Sequence, residues 1–213
     1  MSKFLENALW ENPSVYVTED QLAYFLGGTP DSRYARLSRA VSKGYLIRVK
    51  RGLYCLSERM SLKIPHPFEL AQLIYGPSYI SLESALSYHG FIPEAVHAIT
   101  SATTKRNKEF KNPLGQFVYH RLPIDNFFMG VRLIKENKHQ FFMASPWKAL
   151  LDYIYCYKKE WYDLEPIQDS LRIELEDVPK TSEEELEQLK AFYNSKRIER
   201  FIKNIPMEFI SER

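Results

Sequence analysis

The sequence predicts an α+β protein with two domains, at residues 1–58 and 65–213. Three observations lead to this prediction. The first 58 residues read as helices followed by a basic hairpin, the stretch from 93 to 144 changes to the period of strands, and the remainder returns to helical spacing. A length of 213 residues suits one or two domains, and an apolar fraction of 45% can supply real cores.

The N-terminal domain is organised around a helix that begins after Thr29. Thr29 can cap the helix, Pro30 suits its first position, and Asp31 favours the positive end of the helix dipole. We expect the helix to run to about Lys43, because Gly44 is a good residue just past a helix end.

This helix is predicted to be amphipathic. At about 100° per residue, Tyr34, Leu37 and Val41 share one face, which we expect to be buried. The opposite face carries four cations, namely Arg33, Arg36, Arg39 and Lys43. Such a helix can dock into a domain and still present charge to a partner.

A hairpin is predicted directly after the helix. Leu46, Arg48 and Lys50 alternate with Ile47 and Val49, which is the period of a strand. Arg51-Gly52 is a turn signal, and residues 53–55 form the returning strand.

Two helices are predicted before this unit. The first covers about Lys3 to Glu11, and a short extended piece at Val15–Val17 follows it. The second opens at Thr18 with Gln21 in capping-box spacing, buries Leu22, Phe25 and Leu26, and ends at Gly27-Gly28. The order of elements is that of a winged helix-turn-helix, in which a helix enters the major groove and the hairpin reaches the DNA backbone or minor groove.

The charge pattern indicates nucleic-acid binding. No acid occurs between Ser32 and Gly52, although net charge over the whole chain is only +2. A solvated charged helix beside an ordinary hairpin is the plainer alternative. The residues that we expect to contact DNA are Ser32, Arg33, Tyr34, Arg36, Arg39, Lys43, Arg48, Lys50 and Arg51.

The C-terminal domain is predicted to mix helices and strands. We expect a helix at Phe68–Ile74. A second helix is expected from a Ser81 cap to His89, with Leu82, Ala85 and Leu86 facing inward. A third is expected after Ser145-Pro146, with Ala149, Leu150, Tyr153 and Ile154 facing inward. Strands are expected at 95–100, 116–121, 131–135 and 140–144. An acid-rich section at 160–187 has no predicted function, and one long helix, capped by Thr181 and Glu184, is expected at 181–204.

A second basic patch is predicted in the strand-to-strand region. Its residues are Lys105, Arg106, Lys108, Lys111, His120 and Arg121. As a loop between strands it could touch phosphate, meet an acidic protein or be merely solvated.

Metal and enzyme chemistry have little support in the sequence. The five histidines, His66, His89, His97, His120 and His139, form no helical i, i+4 pair, although His97 and His120 could lie on neighbouring strands. No G-x-S-x-G elbow or phosphate-cradling glycine loop occurs. We therefore predict no metal, no cofactor and no catalytic residue.

The remaining features indicate a cytoplasmic protein. Cys55 and Cys156 are a hundred residues apart, which gives neither a metal spacing nor a disulfide framework. The first residues are too acidic for a signal peptide, and no apolar run approaches the roughly 18 residues of a membrane helix.

Four segments resemble the AbiEi family, the antitoxins of type IV abortive-infection toxin–antitoxin pairs. They are RVKRGLY in the hairpin, YISLESALSYHGFIPE, ITSATTKR with the later HRLP, and ASPWKALLDYI, and the likeness covers about residues 5–155. The resemblance implies an N-terminal domain that binds inverted repeats in operator DNA and represses its own operon. It also implies a C-terminal domain that counters a nucleotidyltransferase-like toxin without a stable complex. A stand-alone winged-helix regulator and a protein-interaction module remain alternatives.

Overall fold

The computed structural model describes residues 14–92, 97–123 and 125–211, and the predicted helix at Lys3–Glu11 lies outside them. The fold is α+β, as the sequence predicts. The chain divides into two compact units, one up to Leu70 together with Phe110–Gly115, and one formed by Ala71–Glu109 and the residues from Gln116 onward.

The first unit has the helix and strand arrangement of a winged helix. Its elements are β1 (Tyr16–Thr18), α1 (Glu19–Leu26), α2 (Pro30–Ser42), β2 (Leu46–Lys50) and β3 (Leu53–Leu56). The strands form an antiparallel sheet in the order β1-β3-β2. The predicted helix after Thr29 and the predicted hairpin are both confirmed.

Capping side chains determine where the first two helices begin. The Thr18 hydroxyl accepts from the backbone N–H of Gln21, and the Gln21 side chain accepts from the N–H of Thr18, which completes the predicted capping box. Thr29 accepts from the N–H of Ser32 at the start of α2. Gly44, with φ +71, follows the end of α2 in the left-handed conformation that glycine adopts without steric cost.

The second unit is built on a six-stranded mixed sheet in the order β6-β7-β5-β4-β9-β8. Strand β5 runs parallel to β7, and β4 runs parallel to β9. The strands are β4 (Ser78–Ile80), β5 (Ala98–Thr103), β6 (Lys108–Asn112), β7 (Gly115–Arg121), β8 (Val131–Glu136) and β9 (His139–Ala144). The helices are α3 (Pro67–Ile74), α4 (Leu82–Tyr88), α5 (Pro146–Cys156), α6 (Glu165–Leu171), α7 (Glu183–Tyr193) and α8 (Lys196–Lys203).

Three strand predictions are confirmed and two strands were missed. The strands at 116–121, 131–135 and 140–144 correspond to β7, β8 and β9. The strand predicted at 95–100 is found at Ala98–Thr103, and its first predicted residues lie outside the described chain. Strands β4 and β6 were not predicted, because the three residues of β4 are too few to show a period and β6 is mostly polar.

The prediction of one long helix at 181–204 is wrong. Asn194 adopts a left-handed conformation with φ 44, which ends α7 and separates it from α8. The cap of α7 is Ser182, whose hydroxyl accepts from the N–H of Glu185, rather than Thr181 with Glu184. The acid-rich section also contains a helix, α6, which has Pro166 in its first turn.

The inward faces of the C-terminal helices are confirmed. Leu82, Ala85 and Leu86 of α4 are fully buried, and the predicted apolar positions of α5 are buried as well. The expected cap of α4 is not made, because Ser81 has no capping hydrogen bond and its hydroxyl donates to Asp152 instead. Within the described chain, every helix is too short or too polar to cross a membrane.

Candidate nucleic-acid interface

Two buried apolar residues pack helix α2 against the core of the first unit. Leu37 and Ala40 are buried, whereas Tyr34 is 59% exposed and Val41 only half-buried. The predicted apolar stripe of Tyr34, Leu37 and Val41 is therefore wrong as a buried face. The packed side is rotated towards Ala40, and Tyr34 stands at its solvent edge.

Two of the predicted DNA-contacting arginines hold the turn between α1 and α2. A terminal guanidinium nitrogen, Nη1, of Arg36 donates to the Leu26 carbonyl at 2.6 Å, and that of Arg33 donates to the Gly28 carbonyl at 2.8 Å. Leu26 is the last residue of α1, where carbonyls have no partner within their own helix, and Gly28 lies in the turn after it. Arg36 therefore satisfies the helix end and Arg33 the turn, and Arg36 remains exposed to solvent.

Arg39 and Lys43 project further along the same side of α2. Both are exposed, and Arg39 Nε donates to the Ala35 carbonyl of its own helix at 3.1 Å. None of the four α2 cations forms an ion pair with a carboxylate of residues 14–92, 97–123 or 125–211. The positive charge of this helix therefore meets no carboxylate partner among the residues that the structure describes.

The most exposed face of α2 consists of small side chains that sequence reasoning missed. Ala35, Ser38 and Ser42 are all exposed and recur at helical spacing, with Arg39 beside them. Small residues would let the helix backbone approach a surface closely. The helical spacing of these small residues is visible in the sequence, but the predicted contact residues of this helix were mainly charged ones.

The hairpin does not follow the strict alternation that was predicted. Leu46 and Val49 are both buried, and the pairing of β2 with β3 shifts register between Arg48 and Lys50. This irregularity adds a residue to β2 and returns Val49 to the core side. Arg48 and Arg51 are exposed, and Lys50 is half-buried.

The hairpin turn is fixed to the start of α1. The backbone N–H of Glu19 donates to the Gly52 carbonyl at 2.9 Å, and Gly52 has φ +79, a conformation that suits glycine. Arg51 is thereby held at a defined position in an exposed turn.

A cavity of about 220 Å³ lies between α2 and the hairpin. It is lined by Tyr34, Ser38, Val41, Ser42, Arg48 and Tyr54. Arg48 and Tyr54 are paired directly across β2 and β3, so their side chains stand on the same face of the sheet. Burial raises the pKa of Tyr54, while nearby Arg48 acts to lower that pKa and Glu19 to raise it.

The second predicted basic patch is not one loop. Lys108 and Lys111 lie on strand β6, and His120 and Arg121 lie on β7. Lys105 donates to the Gly76 carbonyl, and the ammonium groups of Lys105 and Lys108 lie 5.1 and 5.7 Å from the centre of the Tyr75 ring. Lys111 belongs to the first unit and the other five residues belong to the second.

Metal-ligating residues do not gather anywhere in the described part of the chain. His97 directly precedes β5, whereas His120 is paired with Ala102 further along that strand, so the two histidines are not neighbours. His120 instead lies against Tyr157, with 3.4 Å between its Nε2 and the phenol oxygen, and burial lowers its pKa.

One family of known proteins matches this region. A family model described as a transcriptional regulator, AbiEi antitoxin, matches residues 31–57, which are almost all of α2 and the hairpin. The match confirms, over this segment, the resemblance to AbiEi antitoxins. No curated protein matches the chain.

Proposed function

We propose that this chain is the antitoxin of a type IV pair, and that it also binds operator DNA through α2 and the hairpin β2–β3 and represses its own operon. The observation that carries the proposal is the exposed face of α2. It combines small residues with cations that have no carboxylate partner among the described residues. The family match covers the same elements.

The shape of this face suits the major groove. Ala35, Ser38 and Ser42 leave room for α2 to lie close to base edges, and Ser38 can hydrogen-bond to a base or a phosphate. Arg39 lies beside them. Its side chain hydrogen-bonds only to a carbonyl of its own helix, whereas Arg33 and Arg36 bind carbonyls outside α2. We assign Arg39 to base contact, together with Ser32 at the start of the helix.

The remaining predicted residues surround that face. Arg33 and Arg36 orient α2 through the turn and add positive charge, and Tyr34 borders the cavity. We assign the other cations to phosphate contact, and they are Lys43, Arg48, Lys50 and Arg51. The proposed partner is double-stranded operator DNA with inverted repeats, which a pair of chains would occupy. The proposed functional partner is a nucleotidyltransferase-like toxin that forms no stable complex with this chain.

A protein-interaction module is the alternative, and the surface of α2 argues against it. A partner-binding helix would expose large apolar side chains. Tyr34 is the only exposed large hydrophobic residue of α2, and it lies on a different side from Arg36.

A gel-shift and footprinting experiment tests the proposal. The full chain should protect a palindromic segment upstream of its own gene at physiological salt and should bind a shuffled duplex far more weakly. A reporter fused to that segment should be repressed when the chain is expressed. Equal affinity for both duplexes would contradict operator recognition.

A further inference from the structure

The cavity between α2 and the hairpin is built from two rigid sides of the first unit. Tyr34, Ser38, Val41 and Ser42 come from successive turns of α2, and Arg48 and Tyr54 come from adjacent strands. Its volume of about 220 Å³ far exceeds the roughly 15 Å³ that one water needs.

Strand β3 fixes the position of Tyr54. It is the middle strand of the sheet, so Tyr54 is held between Val17 on β1 and Arg48 on β2, and it is only 4% exposed. The wall of the cavity is therefore preformed, and a ligand would not have to order it.

The lining of the cavity is rich in hydrogen-bond donors. Four of its six residues carry hydroxyl groups, one carries a guanidinium, and none carries a carboxylate. The hydroxyls of Tyr34, Ser38 and Tyr54 have no hydrogen-bond partner within residues 14–92, 97–123 and 125–211. A tyrosine hydroxyl with the ordinary pKa of 10.0 is protonated at neutral pH, and burial raises the pKa of Tyr54 further, so its hydroxyl can donate.

These donors suit an anion of phosphate type. An arginine with several hydroxyl donors is the usual protein environment of a DNA phosphate oxygen, and Arg48 supplies the charge. The cavity also lies beside the exposed face of α2, where a DNA backbone would pass.

We propose that this cavity binds one phosphate group of the DNA backbone, with Arg48 as the charged contact and Tyr34, Ser38 and Tyr54 as hydroxyl donors. This inference rests on the proposed function. It adds Tyr54 to the DNA-binding residues and gives Tyr34 a phosphate contact. In this proposal α2 and the hairpin contact the same phosphate group of the DNA backbone.

One acid modulates this site from outside. Glu19 does not line the cavity, but its carboxylate lies beside Gly52 of the hairpin turn, where its negative charge would repel a nearby phosphate; it also acts to raise the pKa of Tyr54. Replacement Glu19→Gln should strengthen duplex binding by about twofold to threefold, the opposite sign from changes in the lining.

Duplex affinity measured over a salt series tests the proposal directly. The full chain would be titrated against a labelled 30-bp mixed-sequence duplex, with the variants Arg48→Gln, Arg48→Lys and Tyr54→Phe. Lys180→Gln removes the same charge from an exposed position in the second unit and serves as the control.

We expect Arg48→Gln to weaken binding about tenfold and to reduce the slope of log affinity against log salt by about 0.9, the value for one phosphate contact. Tyr54→Phe should weaken binding about fivefold without changing that slope. Arg48→Lys should keep the slope and lose part of the affinity.

The outcomes separate this inference from the proposed function. If the unaltered chain binds no duplex, the proposed function fails. If it binds and neither Arg48→Gln nor Tyr54→Phe weakens it more than Lys180→Gln, the phosphate site is wrong. If Tyr54→Phe lowers the melting temperature, its weaker binding no longer isolates the loss of the hydroxyl. The salt slope of Arg48→Gln then decides alone, because Arg48 is exposed and is not part of the core.

A final arm distinguishes the DNA backbone from free phosphate. Inorganic phosphate should displace the duplex no better than chloride at equal ionic strength. Displacement that Arg48→Gln abolishes, with duplex affinity otherwise unchanged by that variant, would overturn a backbone contact.

Discussion

Lys148 Nζ lies 2.6 Å from Oδ1 of Asp152, and both side chains are completely buried. The two residues are about one helical turn apart, at positions i and i+4 of α5. Asp152 also accepts from the hydroxyls of Tyr79 and Ser81, and Tyr193 lies within hydrogen-bond distance of both members of the pair. The network connects α5 with α7 and with the start of α4.

Replacing Asp152 by Asn should strongly destabilise the second unit. Asp152→Asn leaves the Lys148 ammonium buried without a counter-charge, which we expect to cost about 3–5 kcal/mol in the free energy of unfolding. Lys148→Met should cost less, because the Asp152 carboxylate keeps three hydroxyl neighbours. Urea denaturation of the two variants measures the difference.

The double variant gives a sharper test of the same pair. Adding Lys148→Met to Asp152→Asn should restore stability, since it removes the uncompensated charge. The exposed pair of Lys203 and Glu199, also at i and i+4, is the matched control, and Lys203→Met should leave the urea midpoint almost unchanged. A double variant less stable than Asp152→Asn would contradict this account.

Stability should fall as pH rises above about 10. Burial raises the pKa of Tyr79, Tyr119 and Tyr193 above the value of 10.0 for an exposed tyrosine, so the unfolded chain loses these protons first. Stabilisation by these groups is complete below pH 10 and is lost as pH rises towards the folded pKa values. Burial lowers the pKa of Lys148 from 10.5, so this group favours the folded chain as pH rises. A single lysine thus acts against the three tyrosines.

Urea midpoints between pH 8 and pH 11 measure this dependence. Tyrosinate absorbance provides the control, because the buried rings should ionise only as the chain unfolds. A urea midpoint that stays constant to pH 11 would show that these rings are not buried as described.

The arginines of α2 should differ in their effect on stability. Arg36→Ala removes the 2.6 Å hydrogen bond to the Leu26 carbonyl at the end of α1, and we expect a loss of about 1 kcal/mol in the free energy of unfolding. Arg39→Ala removes only a contact with its own helix and should leave the free energy of unfolding within about 0.5 kcal/mol. Thermal melts of the two variants in parallel test the distinction. Equal losses would contradict a structural role for Arg36.

The sequence predicted best where local chemistry decides the structure. The caps at Thr18 and Thr29, the stop before Gly44 and the turn at Gly52 depend on residues within one helical turn of each other. For this reason α1, α2 and the hairpin were placed within a residue or two.

Prediction failed where contacts between distant segments decide. The Ser81 hydroxyl binds Asp152, 71 residues away, instead of capping its own helix, and no local pattern reveals that choice. Arg33 and Arg36 looked like free cations because the sequence does not show the backbone carbonyls at and after the end of α1 that lie beside them. The register shift in β2 similarly changed which side chains face the core.

The buried network joins two segments that are far apart in the sequence. Tyr79 and Ser81 belong to the segment YISLESALSYHGFIPE, and Lys148 and Asp152 belong to ASPWKALLDYI. The two segments therefore meet in the core of the second unit, where they share a buried, hydrogen-bonded polar cluster.

The affinity of the full chain for duplex DNA, with and without the Arg39 side chain, tests the central claim most directly. Fluorescence anisotropy would compare the unaltered chain, Arg39→Ala and the control Lys180→Ala on the segment upstream of the gene and on a shuffled duplex. We predict that Arg39→Ala loses about tenfold or more on the upstream segment, with an unchanged melting temperature. An Arg39→Ala variant that binds as tightly as the control would contradict a DNA-binding role for the exposed face of α2.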